Sequence, residues 1–200
     1  MRKIICIGRQ FGSGGHLIAR TFAQQAGLEY YDKRLFEHAV ETSGITRNIL
    51  EQADERMANP LYQPVYYEGN SKKYYGKNAN DILFEVQKEL ILQEAETKDC
   101  VFVGRCADYI LKKHTDYIVR SIFFTAPMDY RIHKTMENDG LNEKDASVRV
   151  RKMDKKRSAY YNYYTGRDWG KPSDYNYCMN TADNSEEEIM NLLLHIYQQE

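Results

Sequence analysis

The chain has 200 residues, carries a formal net charge of -1 and contains four cysteines. This length suits a single domain with a sizeable core, and the balanced charge argues against a general polyanion binder. Since no apolar run reaches about 18 residues, no membrane span is expected. The cysteines are scattered and form no Cys-x-x-Cys pair, which favours free thiols in a reduced, cytoplasmic protein.

The start of the chain alternates between strand and helix patterns. A fully apolar strand is predicted over 3–7 and a helix over 14–26, with Gly27 in the position typical of a residue just beyond a helix end. A short strand over 28–31 and a helix over 33–40 follow. This order of elements is typical of an α/β domain.

Residues 42–80 have a different character. They are polar, contain Pro60 and Pro64, and show no strand alternation. One helix is predicted near 47–57, followed by an irregular stretch. Because this segment is too long for a simple loop in a compact domain, we expect an inserted lid or binding element here.

Beyond residue 80 the alternation resumes. Helices are predicted over 81–97, 107–113, 128–138, 143–164 and 185–199, and strands over 100–103, 117–125 and 175–179. Short apolar strands that alternate with helices predict a parallel sheet of about five strands with right-handed crossovers and helices on both faces.

Three landmarks fall where predicted strands end. The glycine-rich segment follows the first strand, Asp32 follows the second, and Gly104-Arg105 follows the third. In open parallel sheets, ligands bind outside the carboxyl ends of the strands. We therefore expect these residues to lie near one another around a ligand site.

The glycine-rich segment, Gly8-Arg9-Gln10-Phe11-Gly12-Ser13-Gly14-Gly15-His16, is typical of a phosphate-binding loop. Clustered glycines let successive backbone N–H groups face one anion, and the helix that follows adds its positive end. The phosphate-loop pattern requires a lysine and a hydroxyl residue after its last glycine, but Gly15 and His16 stand there. Arg9 or His16 could supply the missing charge. A tight turn without a ligand is the alternative.

Further cations are candidates for binding phosphate. Arg105 could grip a phosphate through two hydrogen bonds, or it could be an exposed residue at the strand end. Arg131 lies one turn into a predicted helix. A position on the solvated face of that helix explains this arginine nearly as well as phosphate binding does. The stretch 149–157 holds six basic residues and one acidic residue. A basic helix near the strand ends would suit phosphoryl transfer, although solvated faces and nucleic-acid patches share this pattern.

Aromatic residues and histidines give weaker indications. Six of the 17 tyrosines occupy positions 160, 161, 163, 164, 175 and 177, where packing is favoured over stacking on a base. The five histidines are dispersed, so no metal site is predicted from protein side chains.

Taken together, these residues resemble the cytidylate kinase-like family, a branch of the P-loop nucleoside monophosphate kinases. The motifs that carry the resemblance are 8–15 with Ile18-Ala19, Tyr30-Tyr31-Asp32-Lys33, 103–111, Phe124-Thr125-Ala126-Pro127 with Arg131, Asp154-Lys155-Lys156-Arg157, Tyr160-Tyr161 and 165–169. They span nearly the whole chain. The resemblance implies one three-layer P-loop kinase domain over 1–200, with an acceptor-side insert at about 42–80 and a lid at about 143–170.

The resemblance also implies roles for individual residues. The residues expected to bind the donor phosphates are Gly12, Ser13, Gly14, Gly15 and His16. Those expected to bind the acceptor are Asp32, Lys33, Arg105 and Asp108. The cations expected to act in the transfer are Arg9, Arg105, Arg131, Lys155 and Arg157. The implied donor is ATP and the implied cofactor is Mg²⁺. The implied acceptor is a nucleoside monophosphate such as CMP or dCMP, or a similar small molecule. Neither nucleic acid nor a membrane is an implied partner.

Two functions are consistent with this pattern. The first is phosphoryl transfer from ATP to a small acceptor, which the number of retained cations favours. The second is nucleotide binding without transfer, as in a sensor, which the missing lysine favours because that side chain reaches the transferring phosphates. Nucleic-acid binding through 149–157 is a weaker third, because the net charge is balanced and a second basic stripe is absent from the sequence.

Overall fold

The computed structural model describes residues 1–54 and 77–199. The insert predicted at about 42–80 therefore lies largely outside the described residues. The described strands are β1 (Arg2–Arg9), β2 (Glu29–Tyr31), β3 (Cys100–Val103), β4 (Tyr117–Thr125) and β5 (Tyr177–Asn180). The described helices are α1 (Gly15–Ala26), α2 (Lys33–Thr42), α3 (Arg47–Ala53), α4 (Ala79–Thr97), α5 (Ala107–Leu111), α6 (Met128–Asp139), α7 (Glu143–Thr165) and α8 (Glu186–Gln198).

The strands form one sheet in the order β2-β3-β1-β4-β5, and each of these pairings is parallel. In the central pair, Ile4 lies opposite Cys100 and Ile7 opposite Val103. The backbone N–H of Gly104 donates to the carbonyl of Ile7 at 2.9 Å. The carboxyl ends of β1 and β3 therefore meet at one edge of the sheet, as the sequence predicts.

The core lies on both faces of the sheet, because successive side chains of a strand point to opposite sides. On one face, Ile4 and Cys6 pack with residues of α4, α5 and α7. On the other, Ile5 and Ile7 pack with residues of α1 and α8. A smaller apolar cluster joins α2, α3 and α4. This three-layer α/β arrangement confirms the predicted fold class.

The clearest differences from the sequence prediction lie in α5 and β5, whereas most other bounds shift by one or two residues. α5 ends at Leu111. Of the helix predicted over 47–57, α3 covers Arg47–Ala53, and positions 55–57 lie outside the described residues. β5 begins at Tyr177 because Pro172–Asp174 forms a 3-10 turn and Tyr175 packs on Phe123, with ring centroids 5.0 Å apart. Over residues 1–54 and 77–199, no helix is long and apolar enough to cross a membrane.

Candidate functional site

The glycine-rich segment forms a tight turn between β1 and α1. Gly12 and Gly14 adopt left-handed conformations, with φ of 78° and 77°. A Cβ atom at Gly12 would lie 2.6 Å from the backbone oxygen of Arg131, so the loop also needs glycine here for space. The hydroxyl of Ser13 donates to the carbonyl of Gln10 at 2.9 Å and holds the turn. The amino end of α1 thus faces the cavity that this loop lines.

Gly15 occupies the position where the phosphate-loop pattern has its lysine. The structure gives a steric reason why glycine is present there. A Cβ atom at Gly15 would lie 2.9 Å from Cβ of Arg9 and 3.0 Å from Cδ2 of Phe124. Such distances are shorter than ordinary van der Waals contact, so a side chain at position 15 would force its neighbours to move. The Arg9 side chain occupies the space that a residue 15 side chain would enter.

Arg9 is buried and lies in a charged group with Asp32 and His16. Its Nη2 atom lies 3.9 Å from Oδ1 of Asp32, and the Nδ1 atom of His16 lies 2.8 Å from Oδ2. Burial by itself raises the pKa of Asp32, but the hydrogen bond with His16 and the guanidinium groups of Arg9 and Arg105 outweigh it and lower the pKa. Asp32 is therefore held ionised between the loop and the end of β2.

Asp154 of α7 ties the loop to the helices that follow β4. Its Oδ1 atom accepts the backbone N–H of Phe11 at 2.8 Å, and its Oδ2 atom pairs with Arg131. Arg131 is 4% exposed and also donates to the carbonyl oxygens of Ala126 and Phe11, at 3.0 and 3.2 Å. These contacts position the loop, whereas the catalytic role predicted for Arg131 stays a prediction.

The turn after β3 has an unusual backbone. Gly104, Arg105 and Cys106 follow one another in the left-handed region, with φ of 76°, 56° and 58°. Residues with a Cβ rarely adopt this conformation, which costs about 1–2 kcal/mol for each. The turn places the Arg105 side chain in a buried position where its guanidinium pairs with both carboxylate oxygens of Asp54.

Asp108, in the first turn of α5, has an environment opposite to that of Asp32. The hydroxyl of Tyr161 donates to its Oδ2 atom at 2.7 Å. Burial raises the pKa of Asp108, and it outweighs the hydrogen bond from Tyr161 and the charge of Arg167, which lower the pKa. The protein therefore lowers the pKa of Asp32 and raises the pKa of Asp108, the two carboxylates predicted on the acceptor side.

Two cavities meet at this edge of the sheet. The larger, of about 360 Å³, is lined by the glycine loop together with residues of α6 and α8. The smaller, of about 30 Å³, is lined by the Gly104–Cys106 turn, Asp108 and aromatic residues of α7. Arg9 and Arg157 line both cavities, and Nη1 of Arg157 donates to the carbonyl of Arg9 at 3.1 Å.

The remaining predicted residues lie at different distances from this centre. Lys33 is exposed and lines a separate cavity beside His16 and Asp32. Lys155 lies on the exposed face of α7, and the described contacts do not bring it to the loop. Most of the clustered tyrosines pack within the protein, as favoured from the sequence: the ring of Tyr164, for example, stacks on Phe84 with centroids 4.1 Å apart.

Two carboxylates of the site were given no role from the sequence. Asp154 lies in a motif that carries the family resemblance, but its contact with Phe11 spans 143 residues. Asp54 carries no local signal, and its contact with Arg105 spans 51 residues. Within 1–54 and 77–199, no group of three or more His, Cys, Asp or Glu side chains could hold a metal ion.

The parallel sheet and its helices form an α/β kinase fold. A family model described as the cytidylate kinase-like family matches residues 4–183. The chain therefore belongs to the cytidylate kinase-like family, which confirms the resemblance. It is 23% identical over 197 residues to a cytidylate kinase of Methanopyrus kandleri, covering 95% of this chain and 90% of that protein.

Solved structures agree on the fold. A protein of Eubacterium ventriosum, described as uncharacterized, is 26% identical with a TM-score of 0.73, and the match covers 100% of both chains. A shikimate kinase of Bacteroides thetaiotaomicron is 12% identical with a TM-score of 0.53, covering 96% of this chain and 95% of that one. Family membership and fold together support a function of the nucleotide kinase type.

Proposed function

We propose that this protein transfers a phosphoryl group from ATP to a small acceptor, a nucleoside monophosphate of the CMP or dCMP type or a similar molecule. The observation that carries the proposal is the sharing of Arg9 and Arg157 between the loop cavity and the strand-end cavity. In phosphoryl transfer, most of the catalysis comes from positioning and from stabilising the charge that spreads over the moving group. Cations that line both cavities stand where that charge would develop.

Arg9 takes the part of the P-loop lysine in this proposal. The loop supplies backbone N–H groups and the amino end of α1 for the donor phosphates, as implied for Gly12, Ser13, Gly14, Gly15 and His16. A guanidinium differs from an ammonium because it is a planar fork with several donors. Arg9 can therefore contact two phosphate oxygens together, while Asp32, itself bonded to His16, helps to hold its position.

Mg²⁺ fits this site as a companion of the donor. Because Mg²⁺ is usually held by one or two carboxylates together with waters and substrate phosphates, it needs no cage of protein ligands. Asp139 and Glu186 line the loop cavity and offer carboxylate oxygens. When bound, the ion would neutralise charge on the donor phosphates.

The acceptor is assigned to the strand-end side. Arg105 would bind an acceptor phosphate through its fork, and Asp108 lines the same cavity. Asp32 and Lys33, the other acceptor residues that the family pattern implies, line the neighbouring cavity beside His16. The preference for a cytidine nucleotide rests on the family and on the Methanopyrus kandleri relative. The lid role of α7 is supported by its contacts with the loop through Asp154 and Arg157.

The second candidate is a nucleotide-binding protein that does not transfer phosphate. The observation that favours it is the presence of Gly15 and His16 where a lysine and a hydroxyl residue are usual. Such a protein would bind ATP through the loop and make no phosphorylated product.

A screen separates the two candidates. The purified protein is incubated with ATP, Mg²⁺ and each common nucleoside monophosphate, and phosphorus NMR follows the products. Thermal shift with ATP measures binding in the same samples. Transfer to one acceptor supports the kinase, and a thermal shift without product across the screen supports the binding protein. The absence of both would contradict the two candidates together.

A further inference from the structure

The contact between Asp54 and Arg105 joins two distant parts of the chain. Asp54 directly follows α3, whereas Arg105 lies in the turn after β3. Both carboxylate oxygens contact the guanidinium, and the Nη2 atom of Arg105 lies 2.9 Å from Oδ2 of Asp54. The Arg105 side chain is 6% exposed and the Asp54 side chain is 25% exposed. The cation is thus fixed in the core, while its partner lies nearer to solvent.

This geometry is also the one that binds phosphate. A guanidinium presents parallel N–H groups whose spacing matches two oxygens of a carboxylate or of a phosphate. The N–H groups that face Asp54 cannot serve both anions together. Any phosphate that uses this fork must therefore first displace the Asp54 carboxylate.

The exposure of Asp54 supports such an exchange. Arg105 and Asp108 line the smaller cavity at this edge of the sheet, and the Nη1 and Nη2 atoms of Arg105 are bonded to Asp54. Among the described residues, Asp54 is a partly exposed anion in direct contact with Arg105, so an incoming anion can replace it directly.

We propose that Asp54 is a built-in competitor for the acceptor phosphate, and that its carboxylate occupies Arg105 until a phosphate monoester dianion displaces it. The inference rests on the proposed function, since it assigns the acceptor phosphate to Arg105. Because α3 packs against α2 and α4 through Leu50, the exchange links acceptor binding to the position of α3. The competitor lowers the apparent affinity for the acceptor by the fraction of molecules in which Arg105 is available.

Inorganic phosphate tests this proposal without any turnover. Calorimetric titrations at constant ionic strength compare the wild type with Asp54→Asn, Arg105→Gln and the double variant. If Asp54 holds Arg105 in about nine molecules of ten, Asp54→Asn binds phosphate about tenfold more tightly. The gain disappears in the Arg105→Gln background, which separates binding at Arg105 from binding at the glycine loop.

Asp116→Asn is the matched control. This exposed residue precedes β4, at the opposite edge of the sheet, so the substitution makes the same charge change far from Arg105. Asp54→Glu keeps the competing carboxylate and retains weak phosphate binding. Since Asp54→Asn leaves a buried guanidinium without its charged partner, its melting temperature falls in chloride buffer and rises again when phosphate is added.

Three results would overturn the proposal. Equal phosphate affinity in the wild type and Asp54→Asn would show that the two anions do not compete. Weaker binding in Asp54→Asn would make Asp54 a part of the anion site. A gain that persists without Arg105 would place the competition elsewhere. Each of these can occur while ATP binding and transfer are intact, so the competitor can fail without the proposed function.

Discussion

The loop after β1 and the turn after β3 meet at the same edge of the sheet, yet they are built differently. The loop places glycines in its left-handed positions and is held by Asp154, which bonds both to the backbone of Phe11 and to buried Arg131. The turn places Arg105 and Cys106 in left-handed conformations and sends a buried guanidinium to a partly exposed carboxylate. Low backbone strain and a carboxylate bonded to the loop backbone suit a preformed anion cradle, whereas a strained turn with an exchangeable partner suits a site that changes on binding.

The largest expected effect comes from the cation that both sides share. We expect Arg9→Ala to lower turnover about 10²–10³-fold, the range measured for removal of one preorganised electrostatic donor. Single-turnover kinetics with the acceptor found in the screen measures this effect. Arg151→Ala, on the exposed face of α7, removes the same charge and should leave turnover nearly unchanged. Equal turnover of Arg9→Ala and the wild type would remove Arg9 from the mechanism.

The pair of Arg131 and Asp154, which holds the loop, gives the next effect. Asp154→Asn leaves the Arg131 guanidinium buried without its charged partner, so we expect the free energy of unfolding to fall by about 2–4 kcal/mol. Urea denaturation measures this loss. Glu29→Gln breaks the exposed pair with Arg34 and should cost less than about 1 kcal/mol. Similar losses in the two variants would mean that the loop is not held by Asp154.

A pair of glycine substitutions separates crowding from backbone strain. Gly166→Ala adds a Cβ that meets no described heavy atom within 4 Å, so at a φ of 68° it should cost about 1–2 kcal/mol through strain alone. Gly12→Ala adds the same strain and places its Cβ 2.6 Å from the Arg131 carbonyl oxygen. We expect Gly12→Ala to cost about 1–3 kcal/mol more, as overpacking does. Thermal unfolding of both variants measures this difference. Equal losses in the free energy of unfolding would show that the loop moves enough to accommodate the added Cβ at position 12.

The smallest expected effect is a contrast in pH dependence between two carboxylates. The lowered pKa of Asp32 means that the folded state binds fewer protons than the unfolded state, so its contribution to stability is lost as pH falls through the folded pKa. The raised pKa of Asp108 means the reverse, so stability falls as pH rises from the ordinary aspartate range through the folded pKa.

Denaturation curves between about pH 3 and about pH 8 test this contrast. Asp108→Asn should remove the decline in stability with rising pH, and Asp32→Asn should remove the loss on acidification. The two variants are controls for each other, because each removes one carboxylate at the same edge of the sheet. If the stability of both variants changes with pH in the same way, the pKa values of Asp32 and Asp108 are not shifted in opposite directions.

Much of the scaffold could be predicted from the sequence because its signals are local. β3 and β4 have the predicted bounds, since their apolar runs are flanked by polar or turn-forming residues. Gly27, predicted just beyond the end of α1, stands at that position in the structure. The structure also begins α8 with a capping box of Ser185 and Glu188.

The site was less predictable because its contacts are not local. The pairing of Arg105 with Asp54 and the bond from Phe11 to Asp154 join residues that only the fold brings together. The sequence identified the candidate cations, but it did not show which carboxylate pairs with each of them. The proximity of Arg9 to Gly15 likewise became visible only as a distance between two Cβ positions.

That distance has a consequence for how this protein could be altered. Side chains at positions 9 and 15 compete for the same space, so a lysine at position 15 calls for glycine at position 9 and a shifted Phe124 ring. The lysine alone would crowd the loop, and the glycine alone would remove its cation. The two substitutions are therefore expected to be strongly non-additive. A redesign toward the lysine-bearing loop would have to treat the pair as a single unit of change.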